Sequence, residues 1–84
     1  MTRDDITAVL IDELGRIEPE KDASRLDPNA ELREELDIDS MDFLNLVTAL
    51  SERLKIDIPE TDYSKLATFS HAVDYLVLRL GVAV

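Results

Sequence analysis

Apolar residues recur at steps of three and four positions in three separate stretches of this chain, and that spacing leaves few folds open to it. Such spacing puts apolar side chains on one face of a helix. Pro19, Pro28 and Pro59 lie between the stretches, and no stretch alternates between apolar and polar residues as a half-buried strand does. The pattern predicts one all-α domain over residues 1–84. We expect a small bundle of three long helices plus one short helix, with a long loop between the first two long helices.

The first predicted helix runs from Arg3 to Leu14. Thr2 is followed three residues later by Asp5, which resembles a capping box that satisfies unpaired backbone N–H groups at a helix start. Gly15 follows the last apolar position and is expected to end the helix. The apolar face is formed by Ile6, Val9, Leu10 and Leu14.

Residues 16–39 are predicted to form a long but ordered loop. Pro19 and Pro28 prevent a continuous helix there, and turn-forming polar residues are frequent. A linker of this length is unusual in so small a domain and is often functional. The apolar residues expected to fix it against the bundle are Ile17, Leu26, Leu32, Leu36 and Ile38.

The second long helix is predicted from Ser40 to Leu54, with Asp39 or Ser40 as its N-cap. Its apolar pattern is wider than the single stripe that a small bundle requires. The inner stripe is formed by Phe43, Leu46, Val47, Leu50 and Leu54. A second face is formed by Met41, Leu44 and Thr48. We interpret this surplus face as a surface for a partner.

The rest of the chain predicts a short helix and a last long one. The short helix covers Glu60 to Leu66, with Tyr63 and Leu66 turned inward. Thr68 is a suitable cap for the last helix, and Gly81 marks its end. The apolar positions of that helix are Phe69, Ala72, Val73, Leu76 and Leu80.

The charge of the chain narrows its partners. It has 19 acidic and 9 basic residues and a formal net charge of −10. Nucleic acids and anionic membranes are poor partners for such a chain, because they are bound through Lys and Arg. Basic protein surfaces are favoured, since complementary charge steers encounter. The charge alone also agrees with a simpler role in solubility.

Composition excludes several other properties. The chain has no Cys, so it has no thiol nucleophile, thiolate metal site or disulfide framework. No stretch approaches the about 20 apolar residues that a membrane span needs. Residues 1–5 also lack the apolar run of a signal peptide. We therefore expect a soluble, cytoplasmic monomer.

Ser40 is the position where chemistry is expected. It stands where the long loop ends and an apolar helix begins. Backbone N–H groups at a helix start lack intrahelical partners and the helix dipole is positive there, which favours a phosphate. A serine at a helix start is also a common N-cap without any other role.

The segment Asp39-Ser40-Met41 resembles the Asp-Ser-Leu attachment motif of acyl carrier proteins. The resemblance extends over nearly the whole chain: a first helix, a long loop, the serine, Ile58-Pro59 before a short helix, and a Thr-capped last helix. It implies a free-standing acyl carrier, not an enzyme, that holds acyl groups as thioesters. The acyl groups would be held on a 4'-phosphopantetheine arm attached covalently to Ser40.

The resemblance also implies the partners. They are a phosphopantetheinyl transferase, which takes the arm from coenzyme A, and acyl-loading and acyl-transfer enzymes with basic surfaces. The expected partner contacts are Asp39, Met41, Asp42, Leu44 and Thr48.

Several positions depart from the family pattern. Met41 replaces the commoner Leu, Asp37 stands where Gly is frequent, and Asn45 replaces an acidic residue. These changes suggest a specialised lipid or secondary-metabolite pathway as readily as fatty acid biosynthesis. Phe43 lies one turn beyond Ser40, and its ring is expected either to narrow an acyl cavity against long chains or to be an ordinary core aromatic.

Other carrier types and an interaction module stay open as functions, whereas a catalytic triad and a metal site have less support. A peptidyl, aryl or D-alanyl carrier would share the fold and the serine, and a helical interaction module without a prosthetic group would use the Met41/Leu44 face. A catalytic triad would need Ser40 to meet His71, the only His, which is expected on a solvated face. We expect no metal site, because Asp42 occupies the position where an EF-hand loop needs Gly.

Overall fold

The computed structural model describes residues 1–81. Its α-helices are α1 (Arg3–Ile17), α2 (Leu32–Glu35), α3 (Ser40–Leu54) and α4 (Phe69–Leu80), and its 3₁₀ helices are Ala23–Arg25 and Glu60–Leu66. The described residues contain no strand, only one isolated bridge between Glu31 and Thr68. Three long helices and the seven-residue 60–66 helix confirm the predicted all-α bundle.

The start of α1 is as predicted, but its end is not. Thr2 and Asp5 form the capping box, with the Asp5 N–H donating to the Thr2 hydroxyl at 3.2 Å and the Thr2 N–H donating to the Asp5 carboxylate at 2.8 Å. The prediction that Gly15 ends the helix is wrong. A glycine costs a helix only about 1 kcal/mol, and the additional turn packs Ile17 against the core.

The loop predicted over 16–39 is ordered, as expected, but it spans 18–39 because α1 includes Ile17, and it contains two short helices that the sequence pattern did not indicate. Leu32 and Leu36 are fully buried, and Ile38 is nearly so. Backbone bonds join the loop to the start of α4: the Leu32 N–H donates to the carbonyl of Ala67, just before the helix, at 2.8 Å, and the N–H of Ser70, in its first turn, donates to the Pro28 carbonyl at 3.0 Å.

The helices α3 and α4 have the predicted bounds. The Thr68 hydroxyl accepts from the His71 N–H at 3.1 Å at the start of α4. Gly81 ends α4 with a φ of 66°, a left-handed conformation that glycine adopts at little cost. α1 packs against both α3 and α4, and the 60–66 helix packs against α4.

One apolar core joins all the long elements. Leu10, Leu14, Leu46, Leu50 and Leu76 are at most 1% exposed and lie in a single cluster. Within residues 1–81, no helix is long and apolar enough to cross a membrane.

Charged side chains join the helices around this core. Arg53 of α3 donates to Asp12 and, at 3.0 Å, to Glu13, both on α1. Glu13 is buried, with its side chain 9% exposed, so Arg53 compensates a carboxylate that has lost most of its water. The hydrogen bond from Arg53 lowers the pKa of Asp12.

A second polar cluster fixes the 60–66 helix to α4. The Tyr75 hydroxyl donates to the Asp62 carboxylate at 2.6 Å and accepts from Arg79 at 2.6 Å. The hydrogen bond from Tyr75 lowers the pKa of Asp62, and burial raises the pKa of Tyr75. This cluster holds the 60–66 helix, which forms one wall of the site described next.

Candidate functional site

Ser40 is the exposed first residue of α3. The N-cap of the helix is Asp39, whose carboxylate accepts the Asp42 N–H at 2.9 Å. The sequence left the cap open between Asp39 and Ser40, and the structure assigns it to Asp39. The Ser40 hydroxyl is therefore exposed at a helix start without being needed as a cap.

The chain reaches Ser40 through a tight turn after α2. Asp37 has a φ of 54°, in the left-handed region, and the Ile38 N–H donates to the Arg33 carbonyl at 3.1 Å. Glycine adopts this left-handed conformation at a helix end most easily. Asp37 forms the same turn at some cost in backbone strain. Ile38, 8% exposed, anchors the turn in the core immediately before Ser40.

The second face of α3 is exposed at its start, as the sequence predicted. Met41 is 64% exposed and Leu44 is 41% exposed. Thr48, one turn further, is also exposed, and Asp42 is half-buried. The structure thus places Asp39, Met41, Asp42 and Leu44 around Ser40, with Thr48 farther along the same helix. Their role as partner contacts stays a prediction.

A cleft of about 440 Å³ opens beside Ser40. It lies between the start of α3 and the 60–66 helix, and its lining includes Ser40, Met41, Phe43, Leu44, Tyr63 and Arg33. The rings of Phe43 and Tyr63 meet edge to face, with their centroids 6.4 Å apart and an interplanar angle of 72°. Both rings are partly buried and pack against the core.

Tyr63 and Arg33 also line the cleft, although the sequence pattern did not predict either of them there. Tyr63 was predicted to face inward, but nothing in its spacing links it to Phe43, because the two residues belong to different helices. Arg33 belongs to α2, a helix that the sequence pattern did not indicate. It brings a cation into a cleft whose lining also includes Glu31 and Glu60.

The remaining candidate groups lie elsewhere or are absent from the described part of the chain. His71 is exposed in the first turn of α4, as predicted. Among residues 1–81 there is no group of three or more His, Cys, Asp or Glu side chains that could hold a metal ion.

The site fits a phosphopantetheine group by the chemistry of its residues. An exposed hydroxyl supplies the attachment oxygen, and the N-terminus of a 15-residue helix favours an attached phosphate. The cleft beside the hydroxyl has both apolar and polar walls. When bound, the group supplies a terminal thiol, which the chain itself lacks.

Comparisons with known proteins agree with this fit. The family model described as "Phosphopantetheine attachment site" matches residues 4–76. An acyl carrier protein of Chlamydia felis is 33% identical over 78 residues, which cover 93% of this chain and 94% of the relative. An acyl carrier protein of Rubrobacter xylanophilus is 39% identical over 56 residues, which cover 67% of this chain and 69% of the relative.

The fold is also similar to that of a solved relative. The structure of an acyl carrier protein from Enterococcus faecalis superimposes with a TM-score of 0.73 at 25% identity, covering 94% of this chain and 99% of the other. Members of this family are carriers and not catalysts, and their prosthetic group is 4'-phosphopantetheine. With the family model matching most of its length, this chain belongs to the acyl carrier protein family.

Proposed function

We propose that this chain works as a single acyl carrier domain that holds acyl groups as thioesters on a 4'-phosphopantetheine group attached to Ser40. The observation that carries the proposal is the division of roles at the start of α3. Asp39 caps the helix, and Ser40 presents its hydroxyl to solvent. An ordinary N-cap serine would use that hydroxyl for the cap.

The attachment is a group transfer from coenzyme A, catalysed by a phosphopantetheinyl transferase. A bond forms between the Ser40 Oγ and phosphorus while the pyrophosphate bond of coenzyme A breaks. The hydroxyl proton goes to a base of the transferase, and the adenosine bisphosphate half of coenzyme A leaves. Ser40 is the acceptor in this step, and the catalytic groups belong to the transferase.

Partner recognition is assigned to the exposed start of α3. Met41 and Leu44 offer apolar contact, and the exposed Asp39 carries negative charge beside them. An apolar centre with acidic neighbours is complementary to an enzyme surface that has an apolar depression edged by Lys or Arg. Acyl-loading and acyl-transfer enzymes with such surfaces are therefore the proposed partners, met by a cytoplasmic monomer.

The surface of α3 also bears on the pathway in which this carrier works. The usual role of the family is fatty acid biosynthesis. Asn45 is exposed on α3, where an acidic residue is common in the family. This departure weakens the attraction to strongly basic partners, and it supports a specialised lipid or secondary-metabolite pathway as readily as fatty acid biosynthesis. A peptidyl, aryl or D-alanyl cargo would use the same Ser40 site.

Intact-mass measurement tests the attachment. The protein is incubated with coenzyme A and a phosphopantetheinyl transferase of broad specificity. We expect the mass to increase by one phosphopantetheine group. The variant Ser40→Ala should stay unmodified, whereas Ser64→Ala, which removes another exposed hydroxyl from the same cleft, should be modified like the wild type.

Two results would contradict the proposal. One is a Ser40→Ala variant that still gains the group. The other is a wild-type protein that is helical by circular dichroism but stays unmodified under conditions in which a known carrier is converted. That second result would favour a helical interaction module without a prosthetic group.

A further inference from the structure

The aromatic pair in the cleft lies between Ser40 and the interior of the bundle. Phe43 is one turn beyond Ser40 on α3, and Tyr63 is on the facing 60–66 helix. Their edge-to-face contact spans the gap between the two helices, because the ring centroids are only 6.4 Å apart. Edge-to-face pairs at this distance attract each other beyond simple area burial, so the contact is favourable in itself.

The pair packs against a core of buried aliphatic side chains. Leu46 follows Phe43 by one helical turn and is 1% exposed. Leu66 follows Tyr63 in the same way along the 60–66 helix and is 2% exposed. Both belong to the apolar core that the two rings touch. The rings line the cleft beside Ser40 and the leucines do not, so a chain entering from the Ser40 side meets the rings first.

The cleft outside the pair has a different character. Its walls combine the apolar Met41 and Leu44 with the polar Arg33 and Ser64, and it opens to solvent. A short acyl group could rest there against the faces of the exposed side chains. A long alkyl chain would find only part of the apolar contact that it needs, because polar groups interrupt the walls.

We propose that Phe43 and Tyr63 form an aromatic barrier that keeps acyl chains out of the bundle, so that this carrier shelters only short acyl groups, in the outer cleft. The inference rests on the proposed attachment to Ser40. The barrier keeps the interior of the bundle closed, so an alkyl chain longer than the cleft projects into solvent or into a partner enzyme. Phe43 and Tyr63 thus determine which cargo the fold itself protects.

The melting temperature of the loaded protein shows whether an acyl chain enters the bundle. Wild-type protein is loaded with acetyl, butyryl, hexanoyl, octanoyl or dodecanoyl phosphopantetheine, and intact mass confirms each product. A chain that buries methylene groups in the fold should raise the melting temperature with every added carbon. We expect the wild-type Tm to stay within about 2 °C from butyryl to dodecanoyl, since the added carbons stay outside.

The double variant Phe43→Ala/Tyr63→Ala opens the barrier. In this variant we expect the Tm to rise by about 5 °C or more between butyryl and octanoyl, because the chain enters the space that the rings occupied. Phe69→Ala is the matched control: it removes a partly buried aromatic ring that packs on the core but does not line the cleft. It should behave like the wild type.

A second readout follows the chain itself. In amide spectra of labelled protein, long-chain loading should shift the signals of Leu46 and Leu66 in the double variant and leave them in place in the wild type. If the double variant is too unstable to load, Tyr63→Ala opens one side of the barrier and is measured in the same way.

The outcomes separate the two proposals. A wild-type Tm that climbs steadily with chain length, or Leu46 signals that shift in loaded wild type, overturns the barrier while leaving the attachment to Ser40 intact. A wild-type protein that gains no group at all overturns the attachment, and the barrier falls with it.

Discussion

The two halves of α3 differ in what they contact. At the start of the helix, Met41 and Leu44 turn apolar surface to solvent around Ser40. At its end, Leu50 and Leu54 are buried, and Arg53 holds Asp12 and Glu13 of α1. One helix thus presents a surface at one end and is fixed to the bundle at the other.

The difference shows how a small domain can leave apolar surface exposed and still fold. Burial of apolar area is the main source of stability, and a domain of this size has little of it to spare. The end of α3 contributes the buried leucines and the ion pairs. The start of α3 is then available for recognition, because the helix does not depend on Met41 or Leu44 for its place in the bundle.

The largest expected loss of stability comes from a substitution in the buried half of α3. Leu50→Ala leaves a cavity where a side chain is 1% exposed, and we expect it to lower the free energy of unfolding by about 3 kcal/mol. Leu44→Ala removes the same atoms from a side chain that is 41% exposed and should cost under about 1 kcal/mol. Urea unfolding measures both. Equal losses would mean that the two halves do not differ as described.

An intermediate effect is expected from the ion pairs at the end of α3. Arg53→Met keeps most of the side-chain volume but leaves the buried Glu13 carboxylate without its cation, so stability should fall at neutral pH. We expect a smaller loss than for Leu50→Ala. Arg16→Met is the control, because Arg16 pairs with Asp12 on an exposed surface and should contribute little.

The same variant has a defined pH dependence. The hydrogen bond from Arg53 lowers the pKa of Asp12 below its usual value of 3.8. A carboxyl whose folded-state pKa is lowered stabilises the fold above its unfolded pKa, and this contribution is lost as the pH falls through the folded-state pKa. The difference in the free energy of unfolding between the wild type and Arg53→Met should therefore become smaller below about pH 4. A gap that stays constant under acid would exclude Asp12 as its source.

The smallest expected effect lies at the start of α3. Asp39→Ala removes the cap that accepts the Asp42 N–H, and we expect a loss of about 1 kcal/mol in the free energy of unfolding. Asp39→Asn keeps a cap oxygen and should recover most of that loss. If Asn is no better than Ala at this position, charge rather than capping explains the role of Asp39.

Much of the fold could be predicted from the sequence, because helix signals are local. The caps Thr2 and Thr68, the apolar spacing of α3 and the Gly81 end of α4 each depend on residues within one or two turns. The prediction that Gly15 ends α1 was wrong for the same reason. The local signal favours a helix end there, but Ile17 gains contact with the core when the helix continues.

The site was predicted only in part. The features that the sequence did not predict are contacts between segments that lie far apart along the chain. Ser40 and its exposed neighbours follow from one stretch of sequence. The contact between Phe43 and Tyr63 depends on how α3 and the 60–66 helix pack, which no spacing along the chain reveals. The pairing of Arg53 with Glu13 depends in the same way on the packing of α3 against α1, and buried Glu looks like any other Glu in the sequence.

The backbone bonds between the 18–39 loop and the start of α4 bear on the order of folding. Leu32 and Pro28 form backbone hydrogen bonds with Ala67 and Ser70. The loop that leads into Ser40 is therefore held in place by residues that come about 40 positions later in the chain. Contacts between distant segments form late, since the loop between them must first be closed. During synthesis Ser40 emerges well before Ala67 and Ser70, because the ribosome makes the chain from its N-terminus. The attachment serine therefore acquires its final surroundings only in chains whose last helix has been made and docked.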